Sequence, residues 1–335
     1  MILVDSTFVN SIGGINILKV FLNSISIEDK KKIIVFIDHR NKSIDFKLLD
    51  FHKVIFIKNN LFTRQLQYTK IRNKIKAIIS FNNVPLLVKK HVYQITYFHQ
   101  YFFLDRKELN FGKFYVKCLI KSYVIKILFL ISKSDIAVQS DVMLELSKKI
   151  ISKNSKRYKF PIFEKFEKQQ PKFSKNFLCI TSSEEYKNLD FLLSAFIEYL
   201  KFETESKLFI TISNTNNLKS TSKKLLENKN IVNLGRISIG EVRDYLNKIY
   251  NVIHPSKAES FGLVLVEASM SGNSVIAPNL PYVLDVCNPS ITFENNNINS
   301  LIKALKEASS EELRPSRLLT NSIPDKLLLH LKNKL

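Results

Sequence analysis

Glu259 and Glu267 stand eight positions apart in the stretch AESFGLVLVEASMSGNSVIAPNLP, with Ser260, Phe261 and Gly262 as a tight turn between them. The apolar run from Leu263 reads as a helix that begins at Gly262. A helix start offers backbone N–H groups without internal partners and a partial positive charge, so it takes an anion. Gly262 lets a ligand approach the backbone closely. A carboxylate accepts two hydrogen bonds from vicinal hydroxyls of a ribose or a hexose. A phosphate at the helix start with a diol on either side describes a nucleotide sugar. The pair alone also fits a plainer arrangement, in which Glu259 caps the helix and Glu267 is solvated.

Other residues bear on the choice. Lys187, in SSEEYKNLDFLLSAF, precedes a helix opening at Asn188 and can place a point charge on a diphosphate. It is expected in an open cleft, so its loss should scarcely change stability. Gly13 and Gly14 lie between the first strand and the first helix, in a loop that could bring backbone amides to a phosphate. His99 ends the apolar strand of YQITYFHQYFFL, whereas His254, inside NVIHPS, reads as structural.

Positioning these groups falls to two runs of alternating strands and helices. MILVDS, KIIVFIDH, KVIFIK, AIISFN, YQITYFH and SDIAVQS read as strands in the first half, with helices near 61–76 and 112–131 among the segments between them. NFLCITS, KLFITIS, NIVNLG, YNVIHPS, NSVIAPN and SITFE repeat the alternation in the second half. Strands alternating with helices argue for parallel sheets covered on both faces. The basic, proline-containing stretch 152–176 reads as a connection. The expected organisation is a domain over 1–158, a linker over 159–175, a second domain over 176–310 and a helical tail over 311–335. Such domains bind ligands at the carboxyl ends of their strands, and a cleft between two of them suits a two-substrate reaction.

Composition narrows the partners. The 335 residues are 45% apolar and carry a net charge of +21. Residues 1–160 hold 29 Lys and Arg against 11 Asp and Glu, so nearly all the excess lies in the first half. That asymmetry points to an anionic partner such as nucleic acid, lipid or a phosphorylated substrate. Lys70, Arg72, Lys74 and Lys76 on one helix, and Lys113, Lys117, Lys121 and Lys126 on another, could face it. No helix-turn-helix, zinc-ligand or RNP-like signature favours nucleic acid. Cys118, Cys179 and Cys287 are far apart in apolar runs and read as buried thiols of a cytosolic protein. The first residues show no basic leader and long apolar run, so no secretory signal is expected. The most apolar stretch, 118–131, is short for a bilayer span and interrupted by Lys121 and Lys126. It reads as an amphipathic or core helix.

Residues 175–310 resemble the C-terminal domain of the family 4 glycosyltransferases, which have the GT-B fold. The matching segments, in order, are the Lys187-Asn188 helix start, LGR, HPS, the E-x(7)-E motif enclosing SFG, SGNSVIAPNLP and PYVLDV. The resemblance implies two Rossmann-like domains with a cleft between them. It implies transfer of a sugar, with retention, from a nucleoside-diphosphate sugar to a lipid-linked oligosaccharide in surface-polysaccharide assembly (O-antigen, capsule or exopolysaccharide). Donor-site roles then fall on Gly13, Gly14, Lys187, Ser260, Phe261, Gly262, Leu263 and Glu267, with the diphosphate on the helix start and the lysine. Glu259 and His99 fall near the sugar. The family usually has Gly-Arg where Thr181 and Ser182 stand here. No DxD motif occurs, so no metal or other cofactor is expected. The acceptor would be a polyprenyl-diphosphate-linked glycan, and the protein would sit on the anionic cytoplasmic face of the cell membrane. A GT-B epimerase acting on the nucleotide sugar alone, or a basic nucleic-acid-binding protein, are the alternatives.

Overall fold

The computed structural model describes residues 1–89, 91–150, 155–169 and 171–335. The chain divides into two compact units, Met1–Glu164 with Asn321–Leu335, and Lys165–Thr320.

The first unit is built on seven parallel strands: β1 (Ile2–Ser6), β2 (Ile33–Asp38), β3 (Lys53–Ile57), β4 (Ala77–Ser80), β5 (Tyr93–Tyr97), β6 (Asp135–Val138) and β7 (Arg157–Lys159). Their order is β3-β2-β1-β4-β5-β6-β7. Every residue of β1, β2, β4 and β6 is buried, as strands covered on both faces require. The helices are α1 (Ile12–Asn23), α2 (Ile27–Lys30), α3 (Leu61–Ile71), α4 (Lys113–Ser132) and α5 (Asp141–Ser147). Leu3, Ile34, Phe36, Tyr68 and Ile78 fill one apolar cluster, and Phe98, Ile125, Phe129, Val138 and Met143 another.

The second unit carries six parallel strands: β8 (Phe177–Cys179), β9 (Leu208–Ile210), β10 (Ile231–Asn233), β11 (Asn251–Ile253), β12 (Ser274–Pro278) and, beyond the short β13 (Cys287–Asn288), β14 (Ile291–Phe293). They run in the order β10-β9-β8-β11-β12-β14, while β13 pairs antiparallel with β15 (Arg317–Leu318). The helices are α6 (Leu189–Tyr199), α7 (Ser220–Leu225), α8 (Ile239–Lys248), α9 (Leu263–Ser271), α10 (Pro281–Val286) and α11 (Ile298–Ser310). Leu192, Phe196 and Tyr199 of α6 meet Leu301, Leu305 and Ala308 of α11 in one core over the sheet. Fully burying one such side chain is worth about 1.5–3 kcal/mol. Ser238 opens α8 with a reciprocal capping box, its hydroxyl on the Glu241 N–H and the Glu241 carboxylate on its own.

Four sequence expectations need correction. The linker begins too early at 159: Arg157, Tyr158 and Lys159 form the outermost strand of the first sheet, paired with Ile136, Ala137 and Val138. Its polar, basic composition is that of a protected sheet edge, so it lacks the apolar run of an interior strand. Residues 151–154 and Gln170 of the supposed connection lie outside the described residues. The tail is not a separate helical appendage. Its helix α12 (Pro324–Lys332) returns to the first unit and buries Leu327, Leu328 and Leu331. Lys332 pairs with Asp29 at 2.5 Å, and His330 meets the Tyr93 hydroxyl at 3.0 Å. Gly13 and Gly14 are not in a loop but in the first turn of α1, where the Ser11 hydroxyl accepts from the Gly14 N–H. Finally, α3 ends at Ile71, so Arg72, Lys74 and Lys76 do not share a helix with Lys70.

Candidate active site

Strand order in the second sheet reverses between β8 and β11: β9 and β10 extend from β8 to one side, β12 and β14 from β11 to the other. Loops leaving the carboxyl ends of two such strands turn apart and open a crevice. Lys187 lies on the loop after β8 and Glu259 on the loop after β11. The Lys187 Nζ stands 2.6 Å from Glu259 Oε1, with the side chains 19% and 14% exposed. The backbones are tied as well, since the Lys257 N–H donates to the Tyr186 carbonyl at 2.8 Å. Asn188, which ends the Lys187 turn and opens α6, takes a left-handed φ of 58° and reaches Asn296 with its amide.

The electrostatics follow from this pairing. Burial works against the Lys187 charge, but the Glu259 carboxylate outweighs it and raises the ammonium's pKa. Burial also works against the Glu259 carboxylate, and Lys187 with His254 holds its pKa below the usual range. Lys187 is therefore paired and largely buried, whereas the sequence reading places it in an open cleft.

Gly262 opens α9 with φ 80° and ψ 62°, and no side chain caps that end. The left-handed turn is one that an L side chain adopts only with strain. A Cβ there would also crowd Leu265 Cδ1 at 3.0 Å. Leu263 begins the helix, Ser260 and Phe261 sit in the preceding loop with Phe261 buried, and Glu267 is half-buried one turn along α9. An uncapped helix start and an ammonium group can attract an anion, and carboxylates such as those of Glu259 and Glu267 can accept hydroxyl groups. Thr181 bonds Thr211 across the strand ends and, with Ser182, brings no charge there.

His254, read from sequence as structural, lies beside Glu259. It follows β11 and is only 2% exposed, its Nε2 is 3.8 Å from Glu259 Oε1, and neither ring nitrogen has a hydrogen-bond partner. Burial lowers its pKa to about 4. The ring stands edge-on to Tyr282, whose hydroxyl donates to the Ser256 carbonyl at 2.5 Å.

The first sheet reverses its strand order in the same way, between β1 and β4. His99 follows β5 at this edge, and its N–H donates to Asn83 Oδ1 at 2.6 Å. The His99 Nε2 meets Asn83 Nδ2 at 3.3 Å, and burial lowers the imidazole pKa to about 4. A Cβ on Gly14 would lie 3.8 Å from that Nε2, so the helix start and the imidazole are neighbours. Asn83, which holds the imidazole and takes a left-handed φ of 63°, escaped the sequence reading. Beside it, Arg64 and Asp5 form a buried ion pair at 2.5 Å. The structure thus gathers Lys187, Glu259 and Gly262 at one sheet edge, and Gly14 and His99 at another.

Comparison with known proteins bears on this architecture. Residues 162–323 match the family described as glycosyl transferases group 1. No curated protein sequence matches the chain. Among solved structures it is similar to Anabaena HepE in complex with UDP and glucose, with TM-score 0.67, 12% identity, and 92% of this chain and 90% of that one covered. Sucrose-phosphate synthase from Thermosynechococcus elongatus gives TM-score 0.68 at 12% identity, covering 91% and 88%. The apo form of the lipopolysaccharide outer core galactosyltransferase WaaB gives 0.58 at 14%, covering 99% and 94%. At such identities the likeness carries the fold alone, that of GT-B proteins, with two Rossmann-like parallel-sheet domains. The Lys187–Glu259 pair and the α9 start fall inside the matched domain, and the chain that carries it is a glycosyltransferase of the GT-B fold.

Proposed function

We propose that the protein transfers a sugar, with retention, from a nucleoside-diphosphate donor to a hydroxyl of a polyprenyl-diphosphate-linked glycan in surface-polysaccharide assembly. The observation that carries the donor half is the Lys187–Glu259 pair beside the uncapped start of α9, at the point where strand order reverses in the second sheet. A diphosphate would take the helix start and draw Lys187 toward itself. Glu259 would then be released to accept hydroxyls of the sugar, while Glu267 holds the ribose. Catalysis would consist of positioning and of charge stabilisation on the leaving diphosphate, carried by Lys187 and backbone N–H groups without a metal. HepE, crystallised with UDP and glucose, and the galactosyltransferase WaaB support this reading by their likeness in fold. The first unit, which holds nearly all the excess positive charge, would bring the chain to the anionic cytoplasmic face of the membrane, where the acceptor lies. No helix among the described residues is long and apolar enough to cross a membrane.

A thermal-shift screen against nucleoside diphosphates and their sugars tests the donor assignment. One or a few nucleotides should raise the melting temperature, and the corresponding sugar donor should be consumed only when a lipid-linked acceptor is added. Conversion of the donor without any acceptor would identify an epimerase instead. Failure of every nucleotide to bind would overturn the proposal.

A further inference from the structure

Helix α4 is apolar on two opposite sides, and only one of them is buried. Cys118, Ser122, Ile125, Phe129 and Ser132 form the stripe packed onto the first unit. Ile120, Tyr123, Ile127, Leu130 and Ile131 are each more than half exposed, and Val116 and Val124 are exposed beside them. At roughly 100° per residue, these seven side chains fall within about 60° of the direction opposite the buried stripe. Lys117 and Lys121 border this outward face on one side and Lys126 on the other, with Lys113 at its start. Two of these ammonium groups lie against rings, Lys121 over Phe103 and Lys126 over Tyr123. The helix contains no Asp or Glu.

We infer that α4 lies in the plane of an anionic bilayer with its outward face sunk among the acyl chains and its lysines at the phosphate level. The inference rests on the membrane reading above but replaces docking by charge alone with insertion of a defined face. Water is a poor medium for a contiguous row of aliphatic and aromatic side chains, so the face calls for a cover. A second copy of the chain is a poor one. A symmetric interface would set four lysines against four with no carboxylate on either helix to answer them. An anionic bilayer accepts both features at once, since acyl chains take the apolar side chains and headgroups take the ammonium groups. Lysine stems are long enough to lie along the apolar surface while their heads reach the headgroups.

The chain contains no tryptophan, so Tyr123→Trp places a sole reporter on this face of the full-length protein. Vesicles of phosphatidylethanolamine and phosphatidylglycerol should shift its emission to the blue, and phospholipids brominated on the acyl chains should quench it. A variant with Ile120, Ile127, Leu130 and Ile131 replaced by Ser keeps every lysine and every buried residue of α4. Its partition into the same vesicles should fall at least ~10-fold, with nucleotide binding unchanged. If the serine variant partitions as the wild type does and the tryptophan is unquenched, the lysines dock the protein alone, and insertion is overturned while the membrane reading stands. Absence of binding to any vesicle overturns both, leaving the donor assignment to its own nucleotide test. A dimer in sedimentation velocity that the serine variant dissociates, without vesicle binding, assigns the face to a second copy and overturns the inference as well.

Discussion

Lys187 Nζ and Glu259 Oε1 are 2.6 Å apart, joining the loops after β8 and β11 across the point where strand order reverses. Each charge is thereby answered before any ligand arrives. Removing one partner leaves the other largely buried and unanswered, which is costly even where the pair itself contributes little net stability. Lys187→Ala should therefore lower turnover at least ~100-fold, as loss of a charge-stabilising donor does. It should also lower stability by about 1–3 kcal/mol, reduced from the fully buried case by partial exposure. The double variant Lys187→Met with Glu259→Gln should regain part of that stability but none of the activity. Urea unfolding and steady-state rates on the same preparations check both halves, and an unaltered rate in Lys187→Ala removes the residue from the site.

The two glutamates should fail in different ways. Glu267→Ala should weaken binding of the free nucleoside diphosphate, because its proposed partner is the ribose. Glu259→Ala should leave diphosphate affinity intact or raise it, since Lys187 is then free of its carboxylate partner, while sugar transfer falls. Titration calorimetry with the diphosphate, set beside rates with the intact donor, separates them. Equal losses of diphosphate affinity in both variants would contradict the assignment.

Acid should destabilise the second unit in part through His254. Burial holds its native pKa at about 4, below the ordinary imidazole value of 6.5. As pH falls below 6.5 the unfolded chain takes up a proton that the native state refuses. The stabilising contribution is thus complete above pH 6.5 and is lost as pH falls toward 4. It amounts to on the order of 3 kcal/mol at most. Glu259, whose pKa is also held low, adds to the loss at the acid end. His254→Gln should flatten the fall in unfolding free energy between pH 7 and pH 4.5. Parallel pH profiles for variant and wild type would mean that His254 is protonated in the native state.

Where a residue's surroundings come from its own strand and turn, the sequence was informative. The apolar runs ending at Ile253 and at Cys179 placed Glu259 and Lys187 at strand ends, and the turn at Gly262 is a local event. What the sequence did not disclose depends on distant partners. The ion pair of Lys187 spans 72 residues, and the return of α12 to the first unit hangs on Tyr93 and Asp29. The edge strand Arg157–Lys159 has no apolar signature because an edge needs none. Nothing in the periodicity of α4 distinguished the apolar side that is buried from the one that is not.

Two glycines bound α9, and they should respond differently to the same substitution. Gly262 at its start has φ 80° and Gly272 at its end φ 86°, so an alanine at either is forced into the left-handed region. That strain costs roughly 1–2 kcal/mol per site. At Gly262 the new methyl meets the mobile end of Leu265 at 3.0 Å, whereas at Gly272 it meets the Gln169 carbonyl at 2.9 Å, which is backbone and cannot swing aside. Gly272→Ala should accordingly be the more destabilising of the two. The proposed anion site lies only at the other end. There an alanine, strained at φ 80° and crowding Leu265, must distort the turn that presents the N–H groups of the first turn. Gly262→Ala should thus weaken nucleoside-diphosphate binding at least ~10-fold, while Gly272→Ala, measured below its melting temperature, should bind as the wild type does. Calorimetry on both variants, each first checked for a folded fraction, decides the matter. Equal affinities in the two would move the diphosphate away from the start of α9.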